Sequence, residues 1–257
     1  MARFTKSVRL AIAAVALCAL AAAAKAETPA EGNPILLPET GLTVDLGAAV
    51  RLRPDHLGSS SYTVDAVPLV DGQWGKDLHF SLDDGIQYTA IRWGRLKAGP
   101  DLEYRQSYND HLPPRSTKTA DAVEAGGFAK VDLTYAELDV RVRKALNGYE
   151  GVSGDISLDT LPKLAPKWYL GLEARLGWAD RKFSRNAFAH TGVVSSHIGD
   201  YYSAGAQAAL IYLWKPRTKI ALSLSDDQIL RPSRPLSGAQ TRNAATLALA
   251  VTHRFSW

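Results

Sequence analysis

The 257-residue chain has a single cysteine, Cys18, inside an apolar run near the N-terminus. A disulfide framework is therefore excluded, and thiol chemistry leaves with that run if the run is removed. After residue 26 no apolar stretch approaches the roughly 20 residues of a spanning helix. A chain of this kind that crosses a bilayer must do so as a closed barrel. A charge surplus is missing too. Lys and Arg number 30 against 26 Asp and Glu, but Arg3, Lys6, Arg9 and Lys25 all lie in the first 26 residues, which hold no acid. Without those four the totals are equal, and nothing argues for nucleic acid as a partner. Ligand motifs are also absent. His56, His79, His111, His190, His197 and His253 have no recurrent spacing for a metal. Residues 180–200 carry no calcium-loop pattern, and Gly126-Gly127 no phosphate-loop spacing. No cofactor is expected, and the strand glycines read as bends or tight packing.

What is present begins with an export signal. Arg3, Lys6 and Arg9 form a basic region, Leu10 to Ala24 an apolar one, and Ala24-Lys25-Ala26 a small-residue cleavage site. The expected organisation is a signal peptide over 1–26, cleaved after Ala26, a flexible periplasmic lead-in over 27–42, and an outer-membrane β-barrel over 43–257. The last fifteen residues carry the clearest pattern. Ala245, Leu247, Leu249, Val251, His253, Phe255 and Trp257 share one face; Ala244, Thr246, Ala248, Ala250, Thr252, Arg254 and Ser256 share the other. Period-two alternation ending on an aromatic fits a strand between lipid and lumen. Phe255 and Trp257 are the expected barrel-assembly signal, read by the barrel-assembly machinery.

The same period carries through the chain. Strands are expected at about Thr43–Arg53, Tyr62–Gln73, Asp77–Asp83, Ile86–Trp93, Leu96–Tyr108, Ala122–Asp132, Tyr135–Ala145, Val152–Leu161, Lys167–Ala179, Tyr202–Trp214, Thr218–Ser225 and Asn243–Trp257. The fold class is thus all-β, a transmembrane antiparallel up-and-down barrel of about 12 strands, or about 10 if the short third and fourth are one bent element or part of a loop. Short connections alternate with long ones nearly throughout, as periplasmic turns and extracellular loops do. Trp168 and Trp178 lie ten residues apart on one outward face. At about 3.3 Å per residue and a tilt near 40° they project to about 25 Å, the height of an apolar band. With Tyr202 and Trp214 they form the expected membrane girdle against outer-membrane lipid. Pro68 and Pro100 fall inside strands, where bulges would accommodate them.

The inward faces carry Lys97, Asp101, Glu103, Arg105, Glu124, Lys130, Glu137, Asp139, Arg141, Arg143, Glu173, Arg175 and Arg254. Mixed signs favour mutually paired residues filling a narrow lumen over a selective conduit, which tends to use rings of one sign. A serine-type enzyme would draw on Ser195, Ser196, His197 and Asp200, but crowding in one long loop does not build a nucleophile, base and orienting group. The pairs Asp83-Asp84 and Asp226-Asp227 read as solvated loop mouths rather than an aspartate dyad. No catalytic residue is expected.

Pro54, Gly58, Ser59 and Tyr62 are followed by Pro68-Leu69, Asp71, Trp74-Gly75-Lys76-Asp77, Phe80, Gly85 and Tyr88. Next come Leu96-Lys97-Ala98-Gly99-Pro100 with Tyr104-Arg105, then Glu124-Ala125-Gly126-Gly127-Phe128, Gly148-Tyr149-Glu150-Gly151 and Trp178-Ala179-Asp180. In this order the set resembles the MipA/OmpV family of outer-membrane proteins, also described as MltA-interacting proteins. His56 stands where the family has an aromatic, Ser60 and Ser61 where acids are common, and Trp257 where Phe is usual. The resemblance implies a scaffold between a murein lytic transglycosylase and a murein synthase; for such a scaffold, topology alone makes the periplasmic turns and the lead-in the contact surface. It carries over no catalytic residue. A small-solute channel and a surface adhesin are the other readings.

Overall fold

The computed structural model describes residues 35–38, 40–56, 59–107, 110–111, 120–187, 200–231 and 241–257. Fourteen strands follow in order: β1 (Leu42–Pro54), β2 (Tyr62–Trp74), β3 (Leu78–Ser81), β4 (Gly85–Tyr88), β5 (Ile91–Trp93), β6 (Leu96–Arg105), β7 (Ala122–Asp132), β8 (Glu137–Ala145), β9 (Val152–Thr160), β10 (Lys163–Ala165), β11 (Trp168–Ala179), β12 (Tyr201–Lys215), β13 (Thr218–Arg231) and β14 (Asn243–Ser256). A helix, α1 (Arg181–Ala187), follows β11. Every pairing is antiparallel between neighbours, and two further pairings close the wall: β1 with β14, and β9 with β11. β4 and β5 run in succession along β6, as β9 and β10 do along β11. The fourteen strands therefore make a closed barrel of twelve staves. β3 and β4 form a true hairpin, so the ten-strand alternative does not hold.

The alternation has the polarity expected of a barrel in lipid. On β1, Leu46, Val50 and Leu52 are exposed while Thr43, Asp45 and Arg53 are buried. Leu249, Val251 and Leu247 of β14 are exposed in the same way. The largest fully buried side chains are Glu124, Thr43, Asp45, Asp139 and Ser184, all polar. The side chains are thus sorted for a solvent outside that is apolar and an interior that is hydrogen-bonded.

Three features depart from the sequence reading. The fourth expected strand is broken at Thr89-Ala90, and the eighth stops at Thr160 and resumes as β10 after Leu161-Pro162. β13 runs on to Arg231, well past Ser225. Residues 181–187 are helical because Asp180 caps them: its Oδ1 accepts from the Phe183 amide at 2.9 Å.

The prolines need no bulge. The Leu82 amide donates to the Val70 carbonyl at 3.1 Å, so the even-numbered residues of β2 turn their backbone groups toward β3. β3 pairs with β2 only over Asp71–Trp74. Pro68 is the next even position, and its missing N–H faces an edge where no described strand pairs. Pro100 lies where the partner of β6 is interrupted, between the Ile91↔Ala98 and Gln87↔Asp101 pairs.

Tight packing fixes one of the paired glycines. A Cβ on Gly126 would run into the Val142 carbonyl oxygen and the Arg143 Cα of β8, whereas the nearest atom to a Cβ on Gly127 is the Gly99 carbonyl oxygen at 3.3 Å. Gly126→Ala is expected to lower stability by about 1–3 kcal/mol, and Gly127→Ala by clearly less. Urea unfolding of the two variants in micelles measures this; equal losses would remove the close approach as the reason for Gly126.

Candidate functional site

Two sites occupy the lumen. The first is a charge cluster toward the long-loop end, built by inward positions of β6, β7, β8 and β9. Arg143 Nη1 lies 2.6 Å from Glu103 and 3.2 Å from Asp101, its Nη2 lies 2.7 Å from Asp155, and its Nε lies 3.6 Å from Glu124. Arg105 Nη2 lies 2.9 Å from Glu124. The Tyr149 hydroxyl, from the β8–β9 connection, donates to the other oxygen of Glu124. Burial pushes the Tyr149 hydroxyl well above its ordinary pKa. Tyr149 meets Phe183 of α1 edge-on at 5.3 Å, and the Arg105 guanidinium lies 5.9 Å from the same ring. Helix α1 thus roofs this side of the lumen.

Neighbouring pairs continue the network. Arg141 holds Asp84 at 2.6 Å and Asp139 at 2.7 Å; Lys130 reaches Asp139 at 3.5 Å and Glu137 at 3.7 Å. Arg175 bridges Glu173 at 2.6 Å and Asp227 at 3.0 Å, and Lys97 lies 3.2 Å from Asp132. The inward charges are therefore paired with one another except at Asp159, which accepts from the Ser157 hydroxyl at 2.7 Å and has no cation partner among the described residues. Asp84 and Asp227 are members of these pairs, which corrects their reading as solvated loop mouths.

The second site closes the short-turn end. Asp45 accepts from Arg254 Nε at 2.7 Å and from Lys219 Nζ at 2.5 Å. The same two cations reach the incoming chain. Arg254 donates to the Leu36 and Ile35 carbonyls, each at 2.9 Å, and Lys219 Nζ lies 3.5 Å from the Ile35 carbonyl. Ile35 is buried. This part of the lead-in is docked in the mouth, not free. Backbone carbonyls carry no residue-specific signature, so the sequence showed Arg254 only as one of the inward charges and did not mark this contact.

The expected girdle residues all face outward. Trp168 pairs across the wall with Tyr212, and Trp178 with Tyr202; Trp214 ends the same face of β12. Phe255 and Trp257 stack at 6.1 Å on the outer face of the seam. The amide and carbonyl of Trp257 exchange hydrogen bonds with those of Leu42 at 2.9 and 3.3 Å. Ser195, Ser196, His197 and the cleavage site after Ala26 lie outside the described residues; Asp200 is described and exposed. Among the described residues no cluster of three or more His, Cys, Asp or Glu could hold a metal ion.

Among curated proteins none matches the chain. Solved structures with a similar fold are bacterial barrels. OmpT, an outer-membrane protein of Vibrio cholerae, is 9% identical over 86% of this chain and 99% of its own, with a TM-score of 0.40. The N-terminal barrel of Pseudomonas aeruginosa OprF is 12% identical over 83% and 97%, at 0.28. CymD, a monoaromatic hydrocarbon channel, is 9% identical over 90% and 94%, at 0.39. The family model described as MltA-interacting protein MipA matches residues 46–227, from the middle of β1 to the paired Asp227 of β13. This outer-membrane barrel belongs to the MipA family.

Proposed function

We propose that the protein is a non-catalytic docking protein for murein-remodelling enzymes, a lytic transglycosylase and a murein synthase, held at its periplasmic face. The observation that supports a scaffold over a conduit is the state of the lumen: all but one of its described charges are held in ion pairs within it, and Ile35 and Leu36 sit in its short-turn mouth. The family description supplies the kind of partner. Short turns are the periplasmic side of such barrels. The docking face is then made of the turns at 75–77, 94–95, 133–136, 166–167 and 216–217 with the lead-in. In this reading residues 1–26 are a signal peptide cleaved after Ala26. Trp168, Trp178, Tyr202 and Trp214 form the lipid girdle, and Phe255 and Trp257 address the chain to the assembly machinery.

The test is a pull-down of native envelope proteins on the folded, detergent-solubilised barrel. Recovery of a lytic transglycosylase or murein synthase, lost when the short turns are exchanged, is the expected result. Recovery of neither overturns the reading. Large, salt-stable conductance in bilayers would support the small-solute channel in its place.

A further inference from the structure

Five of the six tryptophans lie at one end of the barrel. Trp74 ends β2, Trp93 ends β5, Trp168 opens β11, Trp214 is the penultimate residue of β12 and Trp257 ends the chain; only Trp178 lies at the long-loop end. All five face outward, and Trp93 and Trp257 are the most exposed, at 80% and 72%. At four of the five short turns a cation stands one or two residues beyond the tryptophan: Trp74-Gly75-Lys76, Trp93-Gly94-Arg95, Lys167-Trp168 and Trp214-Lys215-Pro216-Arg217. The side chains of these five cations, Lys76, Arg95, Lys167, Lys215 and Arg217, are exposed and form no ion pair with a described residue. The one acid within these turns, Asp77, faces Arg92 at 3.8 Å. Lys215 Nζ lies 5.2 Å over the Trp214 ring.

The lumen shows how this chain treats charge where it needs neutrality: with Asp159 the exception, cation and acid are matched within it. The rim is unmatched, so its complement lies outside the protein. An outward indole settles at the level of lipid headgroups, with its ring toward the acyl chains and its N–H toward water. A Lys or Arg one or two residues farther out then stands among the phosphates. The arrangement runs around the circumference, at β2–β3, β5–β6, β10–β11 and β12–β13, on both sides of the β14–β1 seam. A protein partner covers one arc; an annulus of lipid touches every turn.

We propose that the short-turn rim is a binding ring for anionic phospholipid, in which each indole seats a lipid and the adjoining Lys or Arg holds its headgroup phosphate. The ring selects net-negative headgroups over zwitterionic ones, because the latter carry their own cation beside the phosphate. It goes beyond the docking of murein enzymes and does not depend on it.

The test is native mass spectrometry of the folded full chain in detergent with equal amounts of phosphatidylglycerol and phosphatidylethanolamine. The wild type is expected to retain the anionic lipid by about tenfold over the zwitterionic one, as several additive surface charges predict. The variant K76Q/R95Q/K167Q/K215Q/R217Q should bind both alike. If that variant does not fold, the same collapse is expected of the wild type near 1 M salt, where screening acts within about 3 Å. No headgroup preference in the wild type, or a preference that survives the substitutions or the salt, overturns the proposal. So does capture of a purified acidic protein by a rim that shows no lipid preference. No murein enzyme enters the experiment, so its failure leaves the docking reading standing.

Discussion

Arg143→Gln is expected to destabilise the barrel by about 3–5 kcal/mol, the cost of removing one partner from a buried ionic group. Four carboxylates converge on this guanidinium, and its side chain and those of Asp101 and Glu124 are almost fully buried, at 4%, 0% and 1% exposed. Arg105 compensates only part of the loss, because it contacts Glu103 and Glu124 and leaves Asp101 and Asp155 with no cation in the cluster. The loss is a large share of a typical domain's stability of about 5–15 kcal/mol. Urea unfolding in micelles, followed by heat-modifiable mobility, reads it directly. Adding Asp101→Asn and Asp155→Asn to Arg143→Gln should restore much of the stability, since these acids pair with Arg143 alone among the described residues. The exposed Lys182–Glu150 pair at 3.0 Å is the control; Lys182→Gln should change stability by no more than about 1 kcal/mol. If Arg143→Gln unfolds like the wild type, water rather than protein satisfies these carboxylates, and the case against a conduit weakens.

The distribution of such pairs explains how much of the protein its sequence displays. A strand's faces are a local property: the alternation from Asn243 to Trp257 needs no knowledge of neighbours, and β14 spans Asn243–Ser256. The same holds for β7, whose bounds agree at both ends. Short strands carry less signal, so β3 came out four residues long where seven looked strand-like. The partners inside the lumen are set by closure and stagger, which no local pattern encodes. Arg141 and Asp84 are 57 positions apart, and Arg254 and Asp45 are 209 apart. That the inward charges would pair was legible from their mixed signs; which acid meets which base was not. Helix α1 went unread because seven residues give barely two turns of periodicity. Its one local sign was Asp180 just ahead of it.

Replacing both Phe255 and Trp257 with Ala is expected to lower folded barrel in the membrane several-fold while leaving the unfolding of any purified barrel little changed. The two halves of that expectation separate recognition from packing. On the structural side these residues hold little. Their rings stack on each other, and Phe255 also meets His253 edge-on at 4.9 Å. Both lie on the outer face, 39% and 72% exposed. What joins the seam here is backbone, the register from Thr43↔Ser256 to Leu52↔Leu247 and the mutual bonds of Leu42 with Trp257, and alanine makes those bonds equally well. A pair of aromatics that contributes so little to the finished wall, yet ends an otherwise regular alternation, is better placed to be read before the wall closes. Until β1 pairs with it, β14 has one open edge beside its pairing with β13, the kind of edge that barrels otherwise abolish. Quantifying heat-modifiable barrel in outer-membrane fractions, alongside urea unfolding of the purified variant, checks both parts. A normal level of folded barrel refutes the assembly role. A reduced level with an equal loss of stability moves these two side chains from signal to structure. Trp257→Phe, which keeps a terminal aromatic, is expected to behave as the wild type in both measurements; a loss of folded barrel there would show that the indole itself is read.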